Sequence, residues 1–231
     1  MLLKGLQKLT LLDFPGKVAA TVFVGGCNFR CPFCHNASLV IGKRLKDTPS
    51  VSCEDFFSFL QKRKGRIEGV CVSGGEPTLY KDLIPFLYNI KELGYLIKLD
   101  TNGYRPAVLR EAVDSGLVDY VAMDIKNSKE SYAKTVGLEK FDITPIEESV
   151  DFLMNGKVDF EFRTTLVRQL HTERDIYSIA TWLRGDEKYF LQSFTDSGDL
   201  LSGGLSGYDK NETELLLKLI KVHVKNAQIR G

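Results

Sequence analysis

The chain lacks a long apolar run, an excess of either charge and an even set of cysteines, and each absence excludes something. No apolar stretch in its 231 residues approaches the ~20 residues that span a bilayer. The N-terminal MLLKGLQKLTLLDFPGK is interrupted by Lys4, Gln7 and Lys8 and has neither the continuous apolar core nor the small-residue cleavage site of a secretory signal. A cytoplasmic location with no membrane partner is the expectation, and thiols there stay reduced. Basic residues number 31 and acidic ones 30, a net charge of +1, so nothing advertises nucleic acid or another polyanion as partner. Prolines are few, at 7, and the 43% hydrophobic and 26% charged content is that of an ordinary globular chain. The 5 cysteines are odd in number, which speaks against a disulfide framework and for metal or redox chemistry.

What is present is an alternation of short β-branched runs with longer segments of helical period. Six strands are expected, at 18–24, 68–73, 95–100, 119–125, 158–164 and 188–194. Between them, Leu79, Leu83, Phe86, Leu87, Ile90 and Leu93 keep one apolar face up to Gly94, and a further helix runs from Pro106 to Gly116. Thr144, Pro145 and Glu147 read as a capping box closed by Gly156, and Thr172 and Asp175 repeat that grammar before Gly185. The last helix carries Leu215, Leu216, Leu219, Ile220 and Val222. No composition break marks a linker, so residues 1–231 read as a single domain, with 1–17 an N-terminal extension packing on a barrel and 18–231 six β/α units.

Successive β-then-α units imply parallel strands joined by right-handed crossovers. An open doubly wound sheet and a barrel of fewer than eight strands both satisfy that pattern. Function sits at the carboxyl ends of the strands in either case, and here every strand end is polar: Gly25-Gly26-Cys27, SGGEP (73–77), DTNG (100–103), MDIK (123–126), EFRTT (161–165) and LQSF (191–194). One site shared by all of these favours the curled sheet over a single switch point. The expected fold is therefore α/β, an incomplete (β/α)6 TIM-like barrel with its active site at the C-terminal strand ends and an open side through which a wide substrate enters.

Cys27, Cys31 and Cys34 fall within eight positions of GGCNFRCPFCHN. Structural zinc closes its shell with four ligands, usually two separated pairs, and Cys53 and Cys71 are isolated. A [4Fe–4S] cluster held by three thiolates keeps one iron open to a reacting partner. A zinc loop completed by a distant ligand such as His171 is the plainer alternative. The other strand-end motifs have plain readings too: GGEP and TNG as turns, Asp124 with Lys126 as a solvated ion pair, Arg163 paired with Glu161 or Asp159, and His35 capping its loop.

Cys27-x-x-x-Cys31-x-Phe33-Cys34 resembles the signature of the radical S-adenosylmethionine (radical SAM) superfamily, aromatic residue before the last cysteine included. Cys34-His35-Asn36 resembles the activating enzymes of glycyl-radical enzymes within it. LLDFPGKVAATVFVGGC is similar to the segment preceding their cysteines, although many have Asp-Gly-Pro-Gly in place of Asp13-Phe14-Pro15-Gly16. The branch most similar is the longer form of the anaerobic ribonucleoside-triphosphate reductase activating proteins, and the pyruvate formate-lyase activating enzymes are similar as well.

The resemblance implies one [4Fe–4S] cluster on Cys27, Cys31 and Cys34, with S-adenosylmethionine chelating the open iron. It implies reductive cleavage of that cofactor to methionine and a 5′-deoxyadenosyl radical, which takes a hydrogen from a glycine of the partner, here the anaerobic reductase. Reduced flavodoxin or ferredoxin is the implied electron donor. Gly74, Gly75 and Glu76 would receive the methionine amine, Asp124 and Lys126 the carboxylate and ribose, and Thr101 and Asn102 the ribose or methionine portion. Arg163 would balance the carboxylate, and Phe33 and His35 would border the adenine. Lys126 counts with the cysteines as catalytic. Two departures stand out: Gln192 and Phe194 occupy the stretch where some activases carry a histidine, and residues 37–52 contain no cysteine for further clusters. Alternatives are a radical SAM enzyme acting on a small molecule, as in the deazapurine-forming branch, and a non-catalytic zinc or redox-sensing module.

Overall fold

The computed structural model describes residues 1–186, 188–196 and 198–230. Along the chain come β1 (Leu3–Thr10), β2 (Ala19–Val24), α1 (Ala37–Val40), α2 (Gly42–Asp47), α3 (Cys53–Arg63), β3 (Gly69–Gly74), a 3-10 turn (Pro77–Leu79), α4 (Leu83–Glu92), β4 (Leu96–Thr101) and α5 (Pro106–Asp114). The second half continues with β5 (Tyr120–Asp124), α6 (Tyr132–Val136), α7 (Thr144–Asn155), β6 (Asp159–Leu166), α8 (Glu173–Trp182), β7 (Tyr189–Ser193), α9 (Lys210–Lys221) and β8 (Gln228–Arg230). No helix among the described residues is long and apolar enough to cross a membrane.

The eight strands form one sheet in chain order, β1 to β8. β1 runs antiparallel to β2 and each later neighbour pair is parallel. An order that never reverses has no switch point, so right-handed crossovers put all the connecting helices on one face. A flat eight-stranded sheet would be roughly 30 Å wide. Yet one cavity of about 570 Å³ is lined both by Cys27, just after β2, and by Arg230 in β8. The sheet is therefore curled, with the helices outside; among the described residues β1 and β8 do not pair, and the barrel stays open along that side.

Alternation along the strands divides the core. Val121 and Met123 of β5 face outward into the large cluster shared with the helices. Tyr120 faces inward and packs with Phe14, Ala19 and Cys71 in a small separate cluster at the amino ends of the strands. Phe14, only 4% exposed, enters from the β1–β2 connection, and a Cβ on Gly69 would lie 2.8 Å from its ring. Burying such a ring contributes about 2–3 kcal/mol, enough to hold this loop as the stopper of the barrel.

Each of the six expected strands is present, shifted by no more than about two residues at its ends. The expected N-terminal extension contributes β1 to the same sheet, and β8 adds a strand beyond the six units. Thr172 and Asp175 do form a reciprocal capping box on α8. Thr144 does not form one on α7: Ile143 is the cap residue, Asp142 Oδ1 accepts from the Thr144 N–H at 3.0 Å, and Glu147 is drawn away to Lys129. α9 carries a box the sequence reading missed, Asp209 with Glu212.

Candidate active site

The loop after β2 carries the three cysteines, all reduced, and all three face the cavity. Cys31 is buried, whereas Cys27 and Cys34 are half-buried. The loop is held by its own backbone and by Arg30, whose guanidinium donates to the carbonyls of Cys27 and Phe29, both at 2.7 Å. The Phe29 N–H points at Cys27 Sγ, 3.4 Å away. Burial pushes the thiols up, Cys27 to about 11 and Cys31 to about 12, and Cys34 in the same direction. Binding of a metal centre would displace those protons.

Gly74 and Gly75 let the β3 end lie against this loop. Gly74 has φ +116°, and a Cβ on Gly75 would sit 1.9 Å from the carbonyl oxygen of Gly26. The Glu76 N–H donates to that same oxygen at 2.8 Å. The close approach expected between these glycines and a cofactor is thus, in the structure, an approach to the cysteine loop, although both still border the cavity.

Glu76 is the one expected site residue that does not line the cavity. It is wholly buried and its carboxylate is saturated, accepting from Thr78 N and Oγ1 (3.1 and 2.5 Å), Thr101 Oγ1 (2.8 Å) and Asn102 N (2.6 Å). Burial pushes its carboxyl up against the effect of those donors. In this structure Glu76 ties the ends of β3 and β4 together and reaches the cavity through Thr101 and Asn102. Asn102 in turn donates to Asn28 Oδ1 at 2.8 Å.

Opposite the cysteines, β4, β5 and β6 present a chain of charges. Asp124 accepts from Lys126 Nζ at 2.8 Å and from Arg163 Nε at 3.0 Å. Arg163 Nη1 also lies 3.6 Å from Asp100, which accepts from Ser73 Oγ at 2.9 Å and pairs with Lys98. Burial alone would raise Asp124, but Arg163 and Lys126 outweigh it and hold the carboxyl well below the usual range. Burial likewise opposes the charges of Lys126 and Arg163, and Asp124 keeps both firmly protonated. Arg163 does not pair with Asp159, which bonds Lys188, and Glu161 is taken by a bidentate contact from Arg230 at 2.7 and 3.0 Å.

Phe33 is buried, with Lys126 Nζ 5.9 Å from its ring centre. His35 is exposed and meets Phe194 edge-on at 5.3 Å, so Phe194 does have a partner at the site. Burial first, and Lys126 second, lower the His35 imidazole. His171 is buried, accepting from the Val167 N–H at Nδ1 (3.1 Å) and facing the Lys126 carbonyl with Nε2 (2.8 Å). Both nitrogens are occupied and it does not line the cavity, which removes it as the distant fourth ligand of a zinc loop. Among the described residues no three Cys, His or carboxylate side chains gather round the position of a single metal ion.

Asp13, Ser73, Asp100, Thr165, Gln192, Ser193 and Arg230 also line the cavity and were not among the expected site residues. Period-2 alternation could have found Asp100 and Thr165, each two positions along its strand from a residue facing the same way. No local signal marks Arg230, which arrives from β8; Asp13, from the β1–β2 connection, lies in the segment whose resemblance to the activating enzymes implied no site role.

The model of the radical SAM superfamily matches residues 21–183, and the chain belongs to that superfamily. It is 33% identical, over 99% of its length and 95% of the relative's, to a Methanocaldococcus jannaschii protein provisionally named glycyl-radical enzyme activating enzyme. A 7-carboxy-7-deazaguanine synthase of Koribacter versatilis is 27% identical over 72% of this chain and 70% of its own. Among solved structures, Streptococcus suis SuiB bound to the precursor peptide SuiA matches with TM-score 0.71 at 14% identity, covering 91% of this chain but only 48% of SuiB. This chain spans about half the length of that protein. Escherichia coli QueE matches with TM-score 0.58 at 16% identity, covering 99% and 92%. These two likenesses concern the fold alone.

Membership makes the chain a radical SAM enzyme and implies S-adenosylmethionine and an iron–sulfur cluster. The residues fit such a cluster. Three thiols converge on one cavity, and beside Cys27 the amide Nδ2 of Asn28 is buried without a hydrogen-bond partner, a donor suited to an anionic sulfur.

Proposed function

We propose that this chain is an activating enzyme that uses S-adenosylmethionine at a single [4Fe–4S] cluster, held by Cys27, Cys31 and Cys34, to place a glycyl radical on a partner enzyme. The observation carrying this reading is the relative provisionally named an activating enzyme, similar over 99% of the chain. When bound, the reduced cluster and cofactor supply a one-electron cleavage that yields a hydrogen-abstracting radical.

The chain's own residues do the rest. Lys126 and Arg163 present cationic donors at the cavity wall, suited to a carboxylate. Asp124 fixes both in place at 2.8 and 3.0 Å. Thr101 and Asn102, held by Glu76, offer polar groups at the next strand end, and Phe33 and His35 supply ring faces. The apolar stopper around Phe14 closes the far end against water, while the unpaired side between β1 and β8 leaves room for a polypeptide loop.

An anaerobic ribonucleoside-triphosphate reductase is the partner the motifs favour, with reduced flavodoxin or ferredoxin as electron source. The test is to mix the anaerobically reconstituted, reduced protein and S-adenosylmethionine with that reductase and record the electron paramagnetic resonance spectrum. A glycyl-radical doublet on the reductase is expected; the reading fails if cofactor is cleaved and no radical reaches any glycyl-radical enzyme. The deazaguanine-synthase relative supports a second reading, small-molecule chemistry, and formation of 7-carboxy-7-deazaguanine without a protein partner would establish it.

A further inference from the structure

Lys98 lies in the middle of β4 with 1% of its surface exposed, and no sequence motif marks it. A buried ammonium needs a compensating charge and full hydrogen bonding. The groups around it on the neighbouring strands are the Cys71 thiol of β3 and Tyr120 of β5, neither an anion near neutral pH. Its ion partner is Asp100, two residues along the same strand and so on the same inward face.

Asp100 is where this pair meets the cavity. One oxygen takes Lys98; the other accepts from Ser73 at 2.9 Å and faces Arg163 Nη1 at 3.6 Å. Arg163 holds Asp124 at the tighter distance of 3.0 Å, and Asp124 holds Lys126. Five charges therefore alternate across three strands, Lys98–Asp100–Arg163–Asp124–Lys126. With Lys98 in place, Asp100 is already compensated and its contact with Arg163 stays long. Without that ammonium, Arg163 would be the remaining ion partner of Asp100 and would be pulled toward β4, away from Asp124. Asp124 would then close on Lys126 alone.

We propose that Lys98 is a positioning residue: by compensating Asp100 inside the barrel it leaves Arg163 and Lys126 aimed at the cavity to receive the carboxylate of S-adenosylmethionine. The inference rests on the assignment of Arg163 and Lys126 to that cofactor and is independent of which substrate the radical attacks.

A double-mutant cycle on the anaerobically reconstituted protein tests it, read as the Kd for S-adenosylmethionine. Iron content and the resonance signal of the reduced, cofactor-free cluster serve as the check that the cluster is intact. Lys98→Met is expected to weaken binding about tenfold, or about 1.4 kcal/mol, with that signal unchanged, and Lys98→Arg to restore most of it. In an Asp100→Asn background, where there is no anion left to compensate, Lys98→Met should change Kd less than about twofold, a non-additivity that a merely structural lysine would not produce. Unchanged affinity in Lys98→Met, or an equal further loss in the Asp100→Asn background, overturns the proposal. If Lys98→Met alone does not fold, Lys98→Gln, which removes the charge but keeps a polar side chain, takes its place in the cycle, with the same tenfold loss expected and unchanged affinity overturning the proposal. Arg163→Ala separates the two layers of inference: normal binding there would sink the cofactor assignment itself, whereas lost binding there with normal binding in Lys98→Met would sink only the role of Lys98.

Discussion

The two ends of the barrel interior are built from the same inward-facing strand positions by opposite means. At the amino ends, Phe14, Ala19, Cys71 and Tyr120 form a small apolar cluster, bordered by the buried Lys98 and Glu161. At the carboxyl ends the same strands offer Asp100, Asp124 and Arg163 around a cavity of about 570 Å³. Apolar packing is non-directional and stabilises simply by excluding water, so it suits the end that has only to be closed. Buried ion pairs contribute little net stability, because desolvation offsets their attraction. They do fix direction, which the end that binds a charged ligand requires. Stability and recognition are thus separated along the barrel axis.

Substitutions at either end can break or sharpen that contrast. The largest effect is expected at the open end: Cys31→Ala should reduce iron and acid-labile sulfide to background while the metal-free chain unfolds nearly as before. Next, Phe14→Ala should destabilise the protein by about 3–5 kcal/mol in denaturant unfolding, with the Kd for S-adenosylmethionine in the folded protein unchanged within about twofold. If that affinity collapses together with stability, the two ends are not separable. Gly75→Ala should cost about 1–3 kcal/mol, since its Cβ would meet Gly26 at 1.9 Å, and should also loosen the cysteine loop, seen as faster iron release to a chelator. Arg163→Gln should raise the cofactor Kd by about 10- to 100-fold (about 1.4–2.7 kcal/mol), an affinity loss that Phe14→Ala does not share, and should lower the melting temperature as well, because Asp124 is left with Lys126 alone.

The smallest effect concerns pH. Asp124 is held below the ordinary aspartate value by Arg163 and Lys126 in spite of burial. Its contribution is therefore complete above about pH 4, the unfolded value, and is lost as pH falls toward the depressed folded one. Melting of the metal-free chain from pH 6 downward should show this acid loss in Phe14→Ala as in the parent, and less of it in Asp124→Asn. An equally steep loss in Asp124→Asn would remove the charged end as its origin.

The sequence carried the strand-to-helix alternation clearly, because residues such as Val70, Val72, Ile97 and Leu99 keep their period over a whole strand. It carried the cysteine loop as well, since three thiols at close spacing are rare by chance. What stayed hidden depends on relations between distant segments. β8 is 3 residues long, too short for any periodicity, and Arg230 gains its place at the cavity only through pairing with β7. Glu76 shows the other limit: its spacing puts it at the strand end, yet four donors from Thr78, Thr101 and Asn102 turn it inward. Thr144 had a good capping sequence, but Asp142 and Lys129 bonded the groups it needed. Local grammar proposes partners, and tertiary contacts choose among them.

The unbroken strand order has a consequence for assembly. Each strand pairs with the one before it in the chain, so the sheet can grow by accretion, every addition closing a loop of modest length. The thiol loop follows the second strand of the chain, whereas the cavity wall is completed by Arg230 of the last strand. Docking of that last strand does not seal the cavity, where Cys27 and Cys34 stay half-buried, so the opening that lets a metal donor load the finished fold also exposes its thiols to oxidants.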